Sequence, residues 1–489
     1  MAVESARLRR VTPRAEPLVW LCSGAVVLSL GLLLALLGFL SVRGFAHFWP
    51  QPILMLHSAE AGGSVHLGVL IDREQDGDGV ALLVHRGGED YFDSALVWVE
   101  ESSLIDRSRP ADAVVIERRT RGLVYGFAEA VGRDGVWQPR GGPSGSAAQA
   151  GGESSDAIGV DARGLLESLM RPSPDGQLDL RLRLVTGEAV VIPGEEIEAM
   201  YAPNAMSVPQ KAAFFLAAAA AFVSDVPRQG NVEGGVFPAI LGTVTLVMLM
   251  TVVVAPLGVL AAVYLREYAR SGPATRLVRI AVNNLAGVPS IVFGVFALGF
   301  FVYGLGGSLD QLFFSDRLPA PTVGAPGLLW AALTMALLTL PVVVVTTEEG
   351  LARVPRSLRE GSFALGATRA ETLWRVILPA ASPAVLTGLI LAVARATGEV
   401  APLLLVGVAK YSPGLPVDGD FPYLHLDRQF MHLGFYIYDV GFQSPDPTTS
   451  EGIVFATALL LVSIVLLLNI AAVILRGRLR EAFRPEEGL

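Results

Sequence analysis

From residue 237 to residue 264 the chain carries no charged side chain, and five other stretches come close to the same condition, at about 18–40, 280–303, 327–345, 383–406 and 453–475. A hydrocarbon core of roughly 30 Å takes about 20 residues at a rise of about 1.5 Å each, so each run is long enough to cross it. In that medium a backbone finds hydrogen-bond partners only within its own helix or in a closed barrel. Runs of this length and uniformity predict helices, and six of them predict an all-α transmembrane bundle. Composition agrees: 52% of the residues are hydrophobic and 17% charged, with a mean hydropathy of +0.52, which excludes an ordinary soluble enzyme. The single cysteine, Cys22, lies in the first run and reads as a small hydrophobe, with no disulfide or metal chemistry attached.

Arginines set the expected orientation. Arg7, Arg9, Arg10 and Arg14 precede the first run. That run is too long for a signal peptide and no small-residue cleavage site follows it, so it reads as a retained anchor. Arg266, Arg270, Arg276 and Arg279, then Arg353, Arg356, Arg359, Arg369 and Arg375, then Arg476, Arg478, Arg480 and Arg484 fall in every second loop or end, whereas the alternate short loops hold only Arg317, Lys410 and Arg428. Cationic loops stay in the cytoplasm, which predicts both termini there and the long insert 42–231 on the other side. The acids concentrate in that insert, from Asp72 to Glu198. Alternating segments such as "SVHLGVLID", "GVALLVHR", "ALVWVEE", "LRLRLVTG" and "EAVVIPGEEIEAMY" predict a β-rich extracytoplasmic domain, with 141–156 as a flexible loop inside it. "PQKAAFFLAAAAAFVSD" is helical by propensity and too short to span, which leaves a membrane-surface or docking helix and a buried helix of the outer domain both open. The expected organisation is an N-terminus and first helix at 1–41, the insert at 42–231, and a transmembrane domain at 232–489.

Between the fourth and fifth runs lies "EGSFALGATRAETLWRVILPA", residues 360–380, inside a cytoplasmic loop at 347–380. A glycine able to adopt the left-handed conformation ends one short helix at Gly366, and Thr368 with Glu371 forms the sequence of a capping box that starts the next. The segment resembles the coupling motif of binding-protein-dependent ABC importers: Glu360 opens the pattern, Gly366 takes the turn position, Val376 the hydrophobic place, and Leu378 and Pro379 close it. "EGS" stands where the family has "EAA". The resemblance implies that Glu360, Gly361, Ser362, Ala364, Leu365, Gly366 and Ala367 form a knob docking on a separate ATPase. The chain cannot power itself, because neither of its lysines, Lys211 and Lys410, sits in a Gly-Lys-Ser/Thr phosphate loop. No cofactor is expected here, ATP and magnesium belonging to the partner subunit.

In the fifth run, "LILAVARATGEVAPLLLVG" spaces Arg395 and Glu399 as i and i+4 with Thr397 between them. Each charge costs roughly 2.5–3.5 kcal/mol at a bilayer centre, so the pair is expected to face protein or a watery path. Arg395 offers a forked donor set suited to a tetrahedral oxyanion, with Glu399 orienting or releasing it; an internal ion pair that only orients the helix is the other reading. Asn283, Asn284 and Ser290 either bond a passing anion or satisfy backbone groups freed by Pro289. His425 and His432 flank Asp427 at a spacing unsuited to a helical metal site. "GGVFPAILGTVTLVMLM", "GVLAAVYLREYA", "NNLAGVPSIVFGVFALGFFVY", "LPVVVVTTEEGLARVPRSLREGSFALGAT" and "ARATGEVAPLLLVG" together resemble the PstA-type permease of the phosphate-specific ABC importer, over more than half the chain. That resemblance implies import of inorganic phosphate across a cell inner membrane, with the insert in a periplasm, alongside a PstC-type second permease, a pair of PstB-type ATP-binding subunits and an extracytoplasmic phosphate-binding protein. Membrane lipids are expected contacts and nucleic acid is not. Another oxyanion such as sulfate or molybdate, or a non-transporting scaffold or sensor of phosphate, are the alternatives. Where many family members carry an arginine before Thr346, Thr347 and Glu348, this chain has Val345.

Overall fold

The computed structural model describes residues 16–59, 63–76, 79–133, 136–139, 178–412, 414–444 and 447–482. The arginines at 7–14 and the stretch 141–156 lie outside the described residues. Among those described, six helices are long and apolar enough to cross a membrane: Val19–Ala46, Phe237–Tyr268, Ser290–Phe313, Leu328–Arg353, Arg369–Gly398 and Ser450–Arg478.

Helix α1 (Glu16–Ala46) leads into two antiparallel sheets. Strands β1 (Ile53–Ser58), β2 (Val65–Asp76), β3 (Gly79–His85), β4 (Leu96–Glu100) and β5 (Leu104–Ser108) form one, ordered β4-β3-β2-β1-β5. Strands β6 (Ala113–Arg118), β7 (Gly122–Arg133), β8 (Val136–Pro139), β9 (Asp179–Arg183), β10 (Ala189–Ile192) and β11 (Ile197–Tyr201) form the other, ordered β10-β9-β7-β6-β11 with β8 on β7. The β-rich insert is therefore present, and each segment quoted above as strand-like contains a strand, "EAVVIPGEEIEAMY" holding two, β10 and β11, joined by a turn at Gly194–Glu196. Ile53 and Leu67 of the first sheet pack on Ala113, Val115 and Tyr125 of the second. Arg118, 1% exposed, stitches the second sheet to the loop after β3 through a two-pronged bond to Asp90, 2.8 Å on each arm.

Helix α2 (Val208–Ser224) follows, opened by the reciprocal bonding of Ser207 and Gln210. It is mostly exposed. Phe222 is buried, and with Phe215 it meets Phe48 at the end of α1, with ring centroids 5.2 and 6.0 Å away. A ribbon of β12 (Pro227–Arg228) and β13 (Glu233–Gly234) then enters the bundle.

The bundle consists of α3 (Phe237–Val263), α4 (Pro273–Leu285), α5 (Ser290–Ala297), α6 (Gly307–Phe313), α7 (Leu328–Arg353), α8 (Arg356–Ala364), α9 (Arg369–Thr372), α10 (Leu378–Gly398), α11 (Leu403–Val406), α12 (Leu433–Phe442) and α13 (Pro447–Ala482). Helix α7 is its axis. Glycines bring its neighbours close: a Cβ at Gly258 of α3 would stand 2.6 Å from Val343, and one at Gly350 would stand 2.3 Å from the Cβ of Ala384 on α10. Close backbone approach of this kind is how helices gain packing where lipid is as apolar as they are. Leu246, Met250, Met335, Val343, Ala392 and Leu403 lie in the shared core. Helix α1 stands outside it against α13, with Phe39 edge-on to Phe455 at 5.4 Å.

Two spans differ from the expected bounds. The third begins at Ser290 rather than at 280, because Gly287 and Pro289 break the helix; proline has no N–H to give and pushes its predecessor out of the helical region. The arginine-bearing Pro273–Leu285 becomes a separate amphipathic helix with no buried residue. The fifth runs Arg369–Gly398 rather than 383–406. It stops at Gly398, and α11 is a separate short turn after Pro402.

Candidate translocation path and coupling elbow

The elbow has the form its sequence suggests. Helix α8 ends at Leu365, Gly366 holds φ at +85°, and Thr368 accepts from the Glu371 N–H at 3.3 Å while its own N–H donates to the Glu371 carboxylate at 2.9 Å. Only glycine adopts that φ without its Cβ crowding a carbonyl oxygen. Ser362 and Thr372 join the two short helices at 2.8 Å. Of the other elbow residues, Glu360, Gly361, Ala364, Leu365 and Gly366 are exposed and Ala367 half-buried. Below the elbow, Leu265, Val344, Leu351, Val354, Leu373 and Ile377 form one apolar cluster that unites it with the ends of the second and fourth spans.

Ion pairs rim that cluster. Arg359 of α8 donates through Nη1 to Glu267 Oε2 at 3.1 Å, stands in ion-pair contact with Glu267 Oε1 at 3.0 Å, and donates to the Leu351 carbonyl at 2.9 Å. Arg279 of α4 meets Glu348 of α7 at 2.6 Å and donates to the Leu265 carbonyl at 3.0 Å. Leu265 and Glu267 share one π-helical turn, Tyr264–Tyr268, that closes the second span. A cleft of about 260 Å³ opens between α4 and α7, lined by Leu265, Arg279, Asn283, Val345 and Glu348 among others. Sequence reasoning missed both pairs. Their only signal was opposite charge at span ends expected on one membrane face, and partners as far apart as 267 and 359 could not be matched from that.

The path residues named above do not gather in one place. Arg395 lies about 25 Å along α10 from its elbow end, at a rise of about 1.5 Å per residue. Its Nε meets the Glu399 carboxylate at 3.3 Å, with the pair partly exposed. Glu399 is the first residue after the helix, with ψ at 126°, so the two side chains converge across a helix end rather than along one helical face. Thr397 is buried and its hydroxyl donates to the Val393 carbonyl at 2.8 Å. Ser290, half-buried, opens the third span at the elbow end, and Asn284 is exposed on α4. The path candidates thus sit at two levels of the bundle.

Away from the elbow several polar groups are tied down, although Asn231 Oδ1, Asp439 Oδ1 and His432 Nε2 are buried with no hydrogen-bond partner among the described residues. Asp310 accepts backbone N–H groups of Thr322, Val323 and Gly324 at 2.8–3.0 Å. Asp439, 1% exposed, meets Lys410 at 3.1 Å and Asn231 at 3.2 Å. Asp418 binds Arg428 and His425, whose hydrogen bonds hold its carboxyl down at about 2. His425 thus pairs with Asp418 rather than Asp427, and His432 is buried at the start of α12 with Nδ1 accepting from Gly434.

Six apolar helices and a capped elbow define a multi-span membrane subunit of transporter type. Residues 254–481 match the family model described as the binding-protein-dependent transport system inner membrane component. The chain is 32% identical over 254 residues to the phosphate transport system permease protein PstA of Yersinia pestis, covering 52% of this chain and 76% of that one. It is 39% identical over 178 residues to the PstA of Mycobacterium leprae, covering 36% of this chain and 53% of that one. It thus spans about half the length of its mycobacterial relatives. Among solved structures, an inward-facing MetNI methionine ABC transporter matches with 20% identity and a TM-score of 0.36, over 50% of this chain and 94% of that one. The chain belongs to the binding-protein-dependent transport system inner membrane component family, and its relatives there include PstA-type permeases.

Proposed function

We propose that this chain is the permease subunit of an ATP-driven importer that passes inorganic phosphate across the inner membrane. The observation that carries this reading is its identity along three quarters of a phosphate permease, together with an elbow shaped to dock on a motor. The chain itself breaks no covalent bond. A PstB-type ATPase pair receives the knob formed by Glu360, Gly361, Ser362, Ala364, Leu365, Gly366 and Ala367. A PstC-type permease completes the pore and a phosphate-binding protein delivers the anion. The alternation of arginine-rich loops supports an elbow in the cytoplasm and an insert on the periplasmic side, where the insert packs over the outer mouth and docks the binding protein. Arg395, released from Glu399, offers two parallel donors to a phosphate oxygen pair. Thr397, Ser290 and Asn284 mark further stations along the path.

Reconstitution of the complex in vesicles tests this. ATP-dependent uptake of labelled phosphate should yield to unlabelled phosphate and resist sulfate and molybdate. Competition by either of those would reassign the substrate. Gly366→Val, which places a β-branched residue at φ +85°, should cut uptake at least about tenfold, since a left-handed β-branched residue costs roughly 1–2 kcal/mol and misdirects the knob. Retained uptake would sink the coupling role.

A further inference from the structure

The two guanidinium groups at the elbow end do the same thing from opposite sides. Arg359 comes from the motor-facing knob and Arg279 from the separate helix α4, and each fastens the π-helical turn Tyr264–Tyr268 to the last turns of α7. Single π turns inside long helices are often found where a protein switches. Neither fastening is complete: Arg279 Nε and Arg359 Nε are buried and, among the described residues, have no acceptor. A buried donor left unpaired is costly, so this arrangement is one that a second state with better partners can displace. Helix α4 is also lightly anchored. It buries no side chain, begins after Gly272, and is cut from the third span by Gly287 and Pro289, which leaves breaks at both ends. The cleft lies directly behind it.

We infer that α4 is the inner gate of the translocation path, latched by Arg279 on Glu348, and that the motor reads and releases this latch through Arg359 and Glu267 on the shared π turn. Arg279, Glu348, Arg359 and Glu267 are positioning residues. They need not touch the transported anion. This rests on the importer reading for its direction, elbow side in the cytoplasm, and for the existence of the motor. When the knob moves, Arg359 drags Glu267, the π turn shifts the Leu265 carbonyl, and Arg279 loses one of its two acceptors. Helix α4 then swings and the cleft, with Val345 on its wall, opens to water.

The test uses the assembled complex in inside-out vesicles, with Cys22→Ser and Val345→Cys, and a membrane-impermeant maleimide as the probe of cleft opening. In the parent, labelling should be slow at rest and change with ATP. Arg279→Gln and Glu348→Gln should each raise the resting rate about tenfold, the worth of a charged hydrogen bond, and abolish the response to ATP. Glu267→Gln should leave the resting rate low yet lose the ATP response. The exchanged pair Arg279→Glu with Glu348→Arg should restore slow labelling, and Arg279→Lys, which keeps the charge and loses the fork, should fall between. Parent-like labelling in both single variants, or an exchanged pair no better than the worse single, overturns the latch. Labelling requires no phosphate. A parent complex that fails to take up phosphate while the latch variants behave as stated removes the substrate assignment alone.

Discussion

At the insert-side end of the bundle Asp310 collects three backbone donors, whereas at the elbow end Arg279 and Arg359 each leave a buried Nε without an acceptor. The Asp310 site is satisfied and therefore has one good geometry. The elbow-end arrangement spreads a few bonds over four elements, α4, α7, α8 and the π-helical turn, and has room for another. The proposed gate requires such a division, one end free to move and the other held still, because a packed apolar core transmits displacement without absorbing it.

The sharpest way to break the comparison is to strip the sealed end. Asp310→Ala should cost about 4 kcal/mol, since three backbone N–H groups lose their acceptor together. Thermal unfolding of the purified full chain in detergent measures it, and a loss no larger than a typical surface substitution would show that the end is not sealed at all.

A subtler asymmetry lies in the joint between insert and bundle. Burial, and after it the charge of Glu117, push Glu233 up to about 7, while Arg228 and Arg118 pull the other way and the buried hydroxyls of Tyr125 and Tyr201 stay protonated. Burial raises Glu117 as well, so the two acids titrate together. A carboxyl whose folded value is raised keeps its proton in the native state where the unfolded chain has given it up. The joint is therefore firmest at low pH and loosens as pH rises through about 7, by roughly 3 kcal/mol in total. Hydrogen exchange of residues 227–236 at pH 5.5 and 8.5 should show the loosening, and Glu233→Gln should flatten it. An unchanged pH profile in that variant would assign the effect elsewhere.

The smallest effect belongs to the elbow. Thr368→Ala removes one cap bond, worth about 1 kcal/mol, and should speed exchange in residues 369–372 without moving the melting temperature of the bundle. A large global shift would mean that the elbow is part of the rigid body.

Length and hydrophobicity made the six spans legible, and a glycine followed by a capping pair made the elbow legible, because both depend on residues close together in the chain. Where a span starts was less so. The run at 280–303 is apolar enough to look continuous, and the break at Pro289 outweighs it only because Arg276, Arg279, Asn283 and Asn284 make the preceding helix two-faced. Strands such as β6 and β7 are hard to read locally for a similar reason: "AVVIER" and "GLVYGFAEAVGR" sit in the middle of a sheet and carry apolar residues on both faces, so the alternation that marks an exposed strand is missing. The Arg279–Glu348 contact depends on which way two helices lean, and no local pattern encodes that.

Helix α1 touches the rest of the bundle chiefly along α13, where a Cβ at Gly44 would stand 3.0 Å from Leu459, and its far tip is gripped by the rings of Phe48, Phe215 and Phe222. The insert is consequently moored by two cables, this outrigger and the ribbon leading into α3. Cutting either one would leave the β sheets swinging from the other, so the insert keeps its place on the bundle only while both cables stay fastened.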